Sequence, residues 1–312
     1  MKIVSFVIPT LNEVKNVVLI YEEIKTVFAQ NLISQNIDFE IIFVDDYSPD
    51  GTIDVVKNLR SLDARVKFIQ MSRRFGGQIC LHAGIEHAQG DAIIIMDADL
   101  QHPPTEIPRM IQEWFAGQEI VLMVREKLGH QSFLKKWSEI YFYKIMNWLS
   151  KTPIVYRFSG FCLFDKKVAR EVRKFKEIDP FFRGIIGSIG FKQKILYFAE
   201  RERQEGSTKY NYFQLFRLAI TGVTNYSEMP LYFIFYLGFS SVFLSIIFGL
   251  WILLNYIILE NIPPGWSSLI LTVLLLGGVQ MIGIGVLGIY LGKIFLQTKD
   301  RPRYIVNETG GL

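Results

Sequence analysis

Cysteine is nearly absent from this chain: two residues in 312, Cys80 and Cys162, with no paired spacing and no zinc pattern. A disulfide scaffold and a thiolate metal site are thereby excluded, and both thiols are expected to be buried in a protein of a reducing compartment. Excess charge of one sign is lacking too. With 34 Lys and Arg against 30 Asp and Glu the formal net charge is +4, too little to argue for nucleic acid as a partner. There is no internal repeat and no low-complexity linker. Half the residues are hydrophobic and 14% aromatic, which excludes intrinsic disorder and leaves a chain able to bury a core. A cleavable signal is not visible either, because the first apolar run, 3–8, is too short and is followed at once by Pro9 and Asn12.

The most informative absence is charge between 231 and 292, where Glu260 is the one charged residue in 62. Residues 231–259 and 266–292 are uncharged runs of 29 and 27 residues, separated by Glu260-Asn261-Ile262-Pro263-Pro264-Gly265. At about 1.5 Å per residue each is longer than the roughly 30 Å hydrocarbon core of a bilayer. The expectation is a transmembrane helical hairpin, the bland alternative being a buried helix pair of a soluble domain. Arg201, Arg203, Lys209 and Arg217 precede the first run, and Lys293, Lys299, Arg301 and Arg303 follow the second, whereas the connecting loop has no Lys or Arg. Both termini and the N-terminal domain are therefore expected on the cytoplasmic face of the cell (inner) membrane. Gly277, Gly278, Gly283, Gly285, Gly288 and Gly292 crowd the second run, a spacing that suits close helix contacts in a homo-oligomer or within the hairpin.

Upstream, short β-rich runs at 3–8, 40–44, 66–71, 91–96 and 119–124 alternate with helical periodicity, as at 14–29 and 53–59. This pattern predicts an α/β domain with a mostly parallel sheet covered on both faces. Two amphipathic stretches, about 130–151 and 209–228, suit helices lying at a membrane interface or docked on the sheet. The predicted organisation is a catalytic domain over 1–208, a juxtamembrane helix over 209–228, two spans within 229–296 and a cytoplasmic tail over 297–312.

Ligands of such sheets bind beyond the carboxyl ends of the strands. Three polar clusters stand there. Asp97-Ala98-Asp99-Leu100-Gln101 closes an apolar run and offers hard oxygen ligands for a divalent cation. Asp45 and Asp46, directly after Ile41-Ile42-Phe43-Val44, are placed to accept hydrogen bonds from a base or ribose. Helix capping from Ser48 or Asp50 is compatible with that role. Pro9-Thr10-Leu11-Asn12-Glu13 forms the third cluster.

These residues resemble the membrane-associated glycosyltransferases of family 2 that move a sugar from a nucleotide to a polyprenyl phosphate, among them dolichol-phosphate mannose synthases and bactoprenol glucosyltransferases. The resemblance runs through 8–13, 44–52, Ser72-Arg73-Arg74-Phe75-Gly76-Gly77-Gln78, Ala83-Gly84, 97–103 and Arg203-Gln204-Glu205-Gly206-Ser207-Thr208-Lys209-Tyr210. It continues to 277–292 and Arg301-Pro302-Arg303-Tyr304, so it covers nearly the whole chain. It implies a GT-A fold, with Pro9, Thr10, Glu13, Asp45, Asp46 and Gln78 toward the nucleotide sugar. Asp97 would lie near ribose and phosphate, and with Asp99 and Gln101 would hold Mg²⁺ or Mn²⁺. Arg125 would sit near the acceptor phosphate, and Arg203 and Lys209 would close over the diphosphate, a basic pair that also suits anionic lipid. The implied reaction is inverting transfer of a hexose, glucose from UDP-glucose, to polyprenyl phosphate. A processive polysaccharide synthase is disfavoured by the absence of a Gln-x-x-Arg-Trp motif; a non-catalytic membrane module partnering a lipid flippase is the third alternative.

One departure stands out. Ser159-Gly160-Phe161-Cys162 occupies the place where many bactoprenol members carry Gly-Asp-Phe-Arg, and no acidic residue occurs between Glu139 and Asp165. A protein base is therefore not expected from this stretch, and an Arg restored at 162 is expected to have the sign that would hold an anionic acceptor.

Overall fold

The computed structural model of the protein describes residues 1–31, 36–126, 155–177, 180–201, 229–259 and 265–312. The amphipathic stretches 130–151 and 209–228, and with them Arg203 and Lys209, lie outside the described residues. The chain divides into two compact units: one holds the described residues up to 201 and those from 301, the other those between.

The first unit is built on an eight-stranded sheet. Its N-terminal part alternates β1 (Lys2–Thr10), α1 (Asn16–Asn31), β2 (Ile37–Asp45), α2 (Thr52–Leu62), β3 (Val66–Met71), α3 (Gly77–His87), β4 (Ala92–Ile95), α4 (Ile107–Phe115) and β5 (Ile120–Arg125). There follow β6 (Phe158–Asp165), α5 (Lys166–Val172), α6 (Phe182–Ser188), β7 (Gln193–Phe198) and, from the C-terminus, β8 (Val306–Gly310). The strand order is β7-β5-β6-β4-β1-β2-β3-β8. β6 runs antiparallel between β4 and β5, and β8 antiparallel to β3; the other pairings are parallel.

Side chains alternate along each strand, so β1 sends Val4, Phe6 and Ile8 into a core shared with α1, α2 and α4, while Val7 enters the opposite core with α3, α5 and α6. Burial on both faces is why the parallel strands read as continuous apolar runs. Gly84 is required by this packing, because a Cβ there would lie 2.3 Å from Val7 Cγ1. Cys80 and Cys162 are both free and buried, as expected from their spacing.

The tail does more than trail from the hairpin. The β3 edge is covered by β8, which removes a row of unpaired backbone groups. Arg303 Nη1 donates to the Phe175 carbonyl at 2.8 Å and meets His82 Nε2 at 2.7 Å, while Tyr304 donates its hydroxyl to Glu86. Burial, reinforced by the Arg303 charge, holds His82 below its ordinary pKa, and its Nε2 also lies 3.2 Å from the Phe175 carbonyl. Arg303→Ala removes these partly buried bonds and the Arg303–Glu86 ion pair at 3.5 Å and is expected to cost about 1–3 kcal/mol, roughly 2–12 °C in Tm for a chain of this size. Thermal unfolding of the detergent-solubilised full chain checks this; an unchanged Tm would show that the tail is not docked in solution.

The second unit contains α7 (Met229–Leu259) and α8 (Trp266–Thr298), two helices long and apolar enough to cross a membrane. Their side chains are not those of a soluble core: Phe233, Phe239 and Met281 are 68%, 66% and 71% exposed. Such a surface needs an apolar solvent or partner. A Cβ at Gly283 would meet Ile234 Cγ2 at 3.1 Å, so this glycine serves packing within the hairpin.

Candidate functional site

The chain's parallel strands all end on one edge of the sheet. That edge gathers Thr10 from β1, Asp45 and Asp46 from β2, Asp97 and Asp99 after β4, Arg125 from β5, and Glu200 after β7. Because β6 is antiparallel, its beginning lies there too, with Phe158 opposite Val124. The chain proceeds from β1 outward to β2 and β3, then returns to place β4 on the other side of β1. This makes the gap between Thr10 and Asp97 a topological switch point, where open α/β sheets take ligands.

On the β1–β2 side the loops are tied to one another. Asn12, Glu13 and Val14 donate their backbone N–H groups to Ser48 Oγ (3.0 Å), Thr52 Oγ1 (3.0 Å) and Asp50 Oδ2 (3.3 Å). Asp45 is fully buried, receives the Ser48 N–H at 3.0 Å and lies 3.5 Å from Thr10 Oγ1. Burial raises its pKa, with Ser48 opposing and the charges of Asp50 and Asp46 adding. Asp46 accepts from the backbone N–H groups of Phe75 (2.6 Å) and Gly76 (3.0 Å), which pins the loop before α3. Gly76 has φ +99 and Gly51 φ +87, conformations that glycine adopts without strain. Gln78 accepts from the Phe182 N–H at 3.0 Å and so fastens α3 to α6. Pro9, next to last in β1, lies beside Val44, and Glu13 accepts from Asn16 Nδ2 at 2.7 Å.

At the switch point, Asp97 has a side chain 53% exposed, Asp99 Oδ1 accepts from the Gln101 N–H at 3.2 Å, and the Gln101 carbonyl accepts from Arg201 N–H at 3.4 Å. Leu100 between them is buried with φ +62. A bulky residue held left-handed marks a loop whose shape its surroundings impose. Asn12 and Tyr47, both at φ 59, bend the loops after β1 and β2 in the same way.

His102 is the support beneath this loop. Its Nδ1 accepts the Asp97 N–H at 3.0 Å, and its ring stacks on Phe161 with centroids 5.1 Å apart. Burial, with Asp99 opposing and Arg125 and Arg183 adding, pushes its pKa down to about 3. The ring is thus neutral, with its proton on Nε2.

On the β5–β6 side, Arg125 Nη2 lies 2.8 Å from Glu200 Oε1. The contact is not aligned as a hydrogen bond, so Arg125 Nε and Glu200 Oε1 remain buried without a hydrogen-bond partner among the described residues. Burial raises the Glu200 pKa, with Arg125 opposing it and Asp99 and Asp97 adding. With His102 Nε2, three of the four buried side-chain atoms without a hydrogen-bond partner among the described residues belong to this one edge. Buried polar groups are ordinarily satisfied within the protein, and their concentration here marks a ligand site.

The family model described as glycosyl transferase family 2 matches residues 5–173, from within β1 through β6. The chain belongs to glycosyl transferase family 2. Its sheet is GT-A-like, and the protein is a glycosyltransferase. A prophage bactoprenol glucosyl transferase homolog of Escherichia coli (strain K12) is 36% identical over 303 residues, 97% of this chain and 98% of that protein. The bactoprenol glucosyl transferase of Shigella phage SfX is 34% identical over 303 residues, with the same two coverages.

Two residues at this edge carry no local sequence signal. Glu200 precedes the basic loop but meets Arg125 only through the parallel β5–β7 pairing. Arg183 reaches the Ser159 carbonyl from α6, 24 positions away. The expectation for position 162 is corrected. Cys162 is fully buried in the core that faces α3, α5 and α6, beside Ile95 and Leu122, so an arginine there enters apolar packing instead of holding an acceptor.

Proposed function

We propose that the transferase moves glucose from UDP-glucose onto a polyprenyl phosphate at the cytoplasmic face of the cell membrane, with inversion at the anomeric carbon. The observation that carries this reading is the polarity of the edge: carboxylates and tied loops on the β1–β2 side, guanidinium groups on the β5–β6 side, and Asp97 and Asp99 between them. The nucleotide belongs with the first half, near Thr10, Glu13, Asp45 and Asp46, and the acceptor phosphate with the second. The likeness to bactoprenol glucosyl transferases over nearly the full length supports the same acceptor class.

In the proposed step an acceptor phosphate oxygen attacks the anomeric carbon, the bond from that carbon to the donor's diphosphate oxygen breaks, and its electron pair leaves with the nucleoside diphosphate. A phosphate monoester is already anionic at pH 7, its second pKa being about 6. It needs positioning and charge neutralisation rather than a base. Asp97, Asp99 and Gln101 offer hard oxygen donors in one short loop, a set that fits Mg²⁺ or Mn²⁺ shared with substrate phosphates. When bound, that ion supplies neutralisation of the departing diphosphate. Arg203 and Lys209 are proposed to add to it from the basic loop, Arg203 as a planar fork and Lys209 as a point charge.

The apolar α7 and α8 are proposed to span the membrane. The chain leaves the sheet unit before α7 and contributes β8 to it after α8, which supports an even number of crossings and termini on one side. A cysteine placed at position 261 is expected to react with an impermeant thiol reagent added from outside intact cells, and labelling confined to inverted vesicles would overturn the orientation. The activity is tested by incubating the purified transferase with labelled UDP-glucose and polyprenyl phosphate, in parallel with GDP-sugars. A one-sugar lipid is expected. A long polymer would favour a processive synthase, and no product with any donor would favour the non-catalytic module.

A further inference from the structure

Arg183 projects from α6 at the β5–β6 end of the site. Its Nη2 donates to the Ser159 carbonyl at 3.3 Å, and its guanidinium lies 6.0 Å from the Phe158 ring centroid. It forms no ion pair with a carboxylate among the described residues. Other arginines on this edge are engaged: Arg125 with Glu200 at 2.8 Å, Arg201 with Glu23 at 2.8 Å, and Arg157, just before β6, with the Tyr156 ring at 5.3 Å. Ser159 is followed by Gly160, where an added Cβ would meet nothing within 4 Å among the described residues. The guanidinium is therefore held by a neutral carbonyl and a ring at the start of β6, on the edge that also carries Arg125.

We propose that Arg183 is a second anion-binding residue of this transferase, taking the phosphate monoester of the acceptor on the β6–α6 side. The proposal rests on the acceptor half assigned above. Arg125 alone is a poor receptor for a dianion, since Glu200 cancels its charge and an entering phosphate must compete with that carboxylate. Arg183 pairs with no carboxylate among the described residues, and its planar fork has donors beyond the one used by Ser159. Its position is set by the Gln78–Phe182 bond, so the loop expected near the nucleotide also places the residue that holds the acceptor. The nucleotide half, three strands away across β4 and β1, has no such cation facing it through α6.

The test uses the full-length protein in detergent with Arg183→Gln, which keeps a donor for the Ser159 carbonyl, and Arg183→Lys, which keeps the charge. Arg183→Gln is expected to raise the KM for farnesyl phosphate, a soluble short-chain acceptor, by roughly tenfold to a hundredfold. The KM for the nucleotide sugar stays within about twofold, and Arg183→Lys recovers part of the loss. An unchanged acceptor KM, or equal rises for both substrates, overturns the assignment. A second measurement is independent of turnover: farnesyl phosphate is expected to protect Arg183 of the parent from phenylglyoxal, read by mass spectrometry, whereas UDP is not. Protection without any sugar transfer would keep the anion site and refute the proposed function; no protection would refute the site itself.

Discussion

Asp99→Ala is expected to lower turnover by about 10³-fold or more, the scale of several kcal/mol of charge stabilisation at a departing diphosphate. The residue also has a structural task, because its Oδ1 accepts the Gln101 N–H at 3.2 Å in a loop that carries the left-handed Leu100. Loss of activity in the alanine variant alone would not separate the two roles. Asp99→Asn does, since the amide oxygen can still accept that bond while the negative charge is gone. Both variants should lose Mn²⁺-dependent UDP binding in a calorimetric titration, and the asparagine variant should melt within a few degrees of the parent. Normal turnover of either variant, or full parental activity in EDTA, would remove the metal from the proposed mechanism.

That Asp97 and Asp99 could be singled out before any coordinates reflects a simple physical situation. β1, β4, β5 and the second half of β2, residues 41–44, are buried on both faces, so each is largely apolar, and the first acidic residues beyond such a run lie at the sheet edge. The strands that escaped notice lack that signature. In β6, Gly160 adopts φ +101 and the pairing with β5 shifts register between Leu122 and Val124. Four of the six residues of β7 are exposed, and β8 reads Val-Asn-Glu-Thr-Gly, a sequence that becomes a strand because β3 offers it an edge. The missing parts of the site follow from the missing strands. Without β7 beside β5 there is no reason to bring Glu200 to Arg125, and without β6 and α6 no reason to bring Arg183 to Ser159. Gln78 and Asp46 stood out as motif residues, yet their visible bonds go to backbone groups of Phe182, Phe75 and Gly76. A motif thus reports a demand of the local architecture as well as any demand of the ligand.

Positions 160 and 162 give the sharpest test of whether this site lacks something or is differently built. Cys162→Arg is expected to destabilise the protein by about 3–5 kcal/mol, the cost of an uncompensated charge in the interior, or roughly 6–20 °C in Tm. The cause is placement: Cys162 has no exposure and packs in the core with Ile95, Leu122 and Phe182. Gly160→Asp meets a different obstacle. Space is open around its Cβ, but the backbone is held at φ +101, and forcing an L side chain into a sparsely populated conformation costs about 1–3 kcal/mol. Its carboxylate would also join Asp97, Asp99 and Glu200 on the edge that receives an anionic acceptor, a repulsion that strengthens as the local dielectric falls. Turnover of Gly160→Asp is therefore expected to fall. The acidic limb of its pH profile is expected to stay near 6, because the species lost on acidification is the acceptor's dianion. Glu200→Gln should keep the same limb, although Glu200 is the buried carboxylate best placed to mimic a base. Profiles of the three proteins at saturating nucleotide sugar decide the matter. A limb that moves to carboxylate values in Gly160→Asp with a rise in turnover, or one that vanishes in Glu200→Gln, would show that a protein base takes part and that charge placement alone does not explain the reaction.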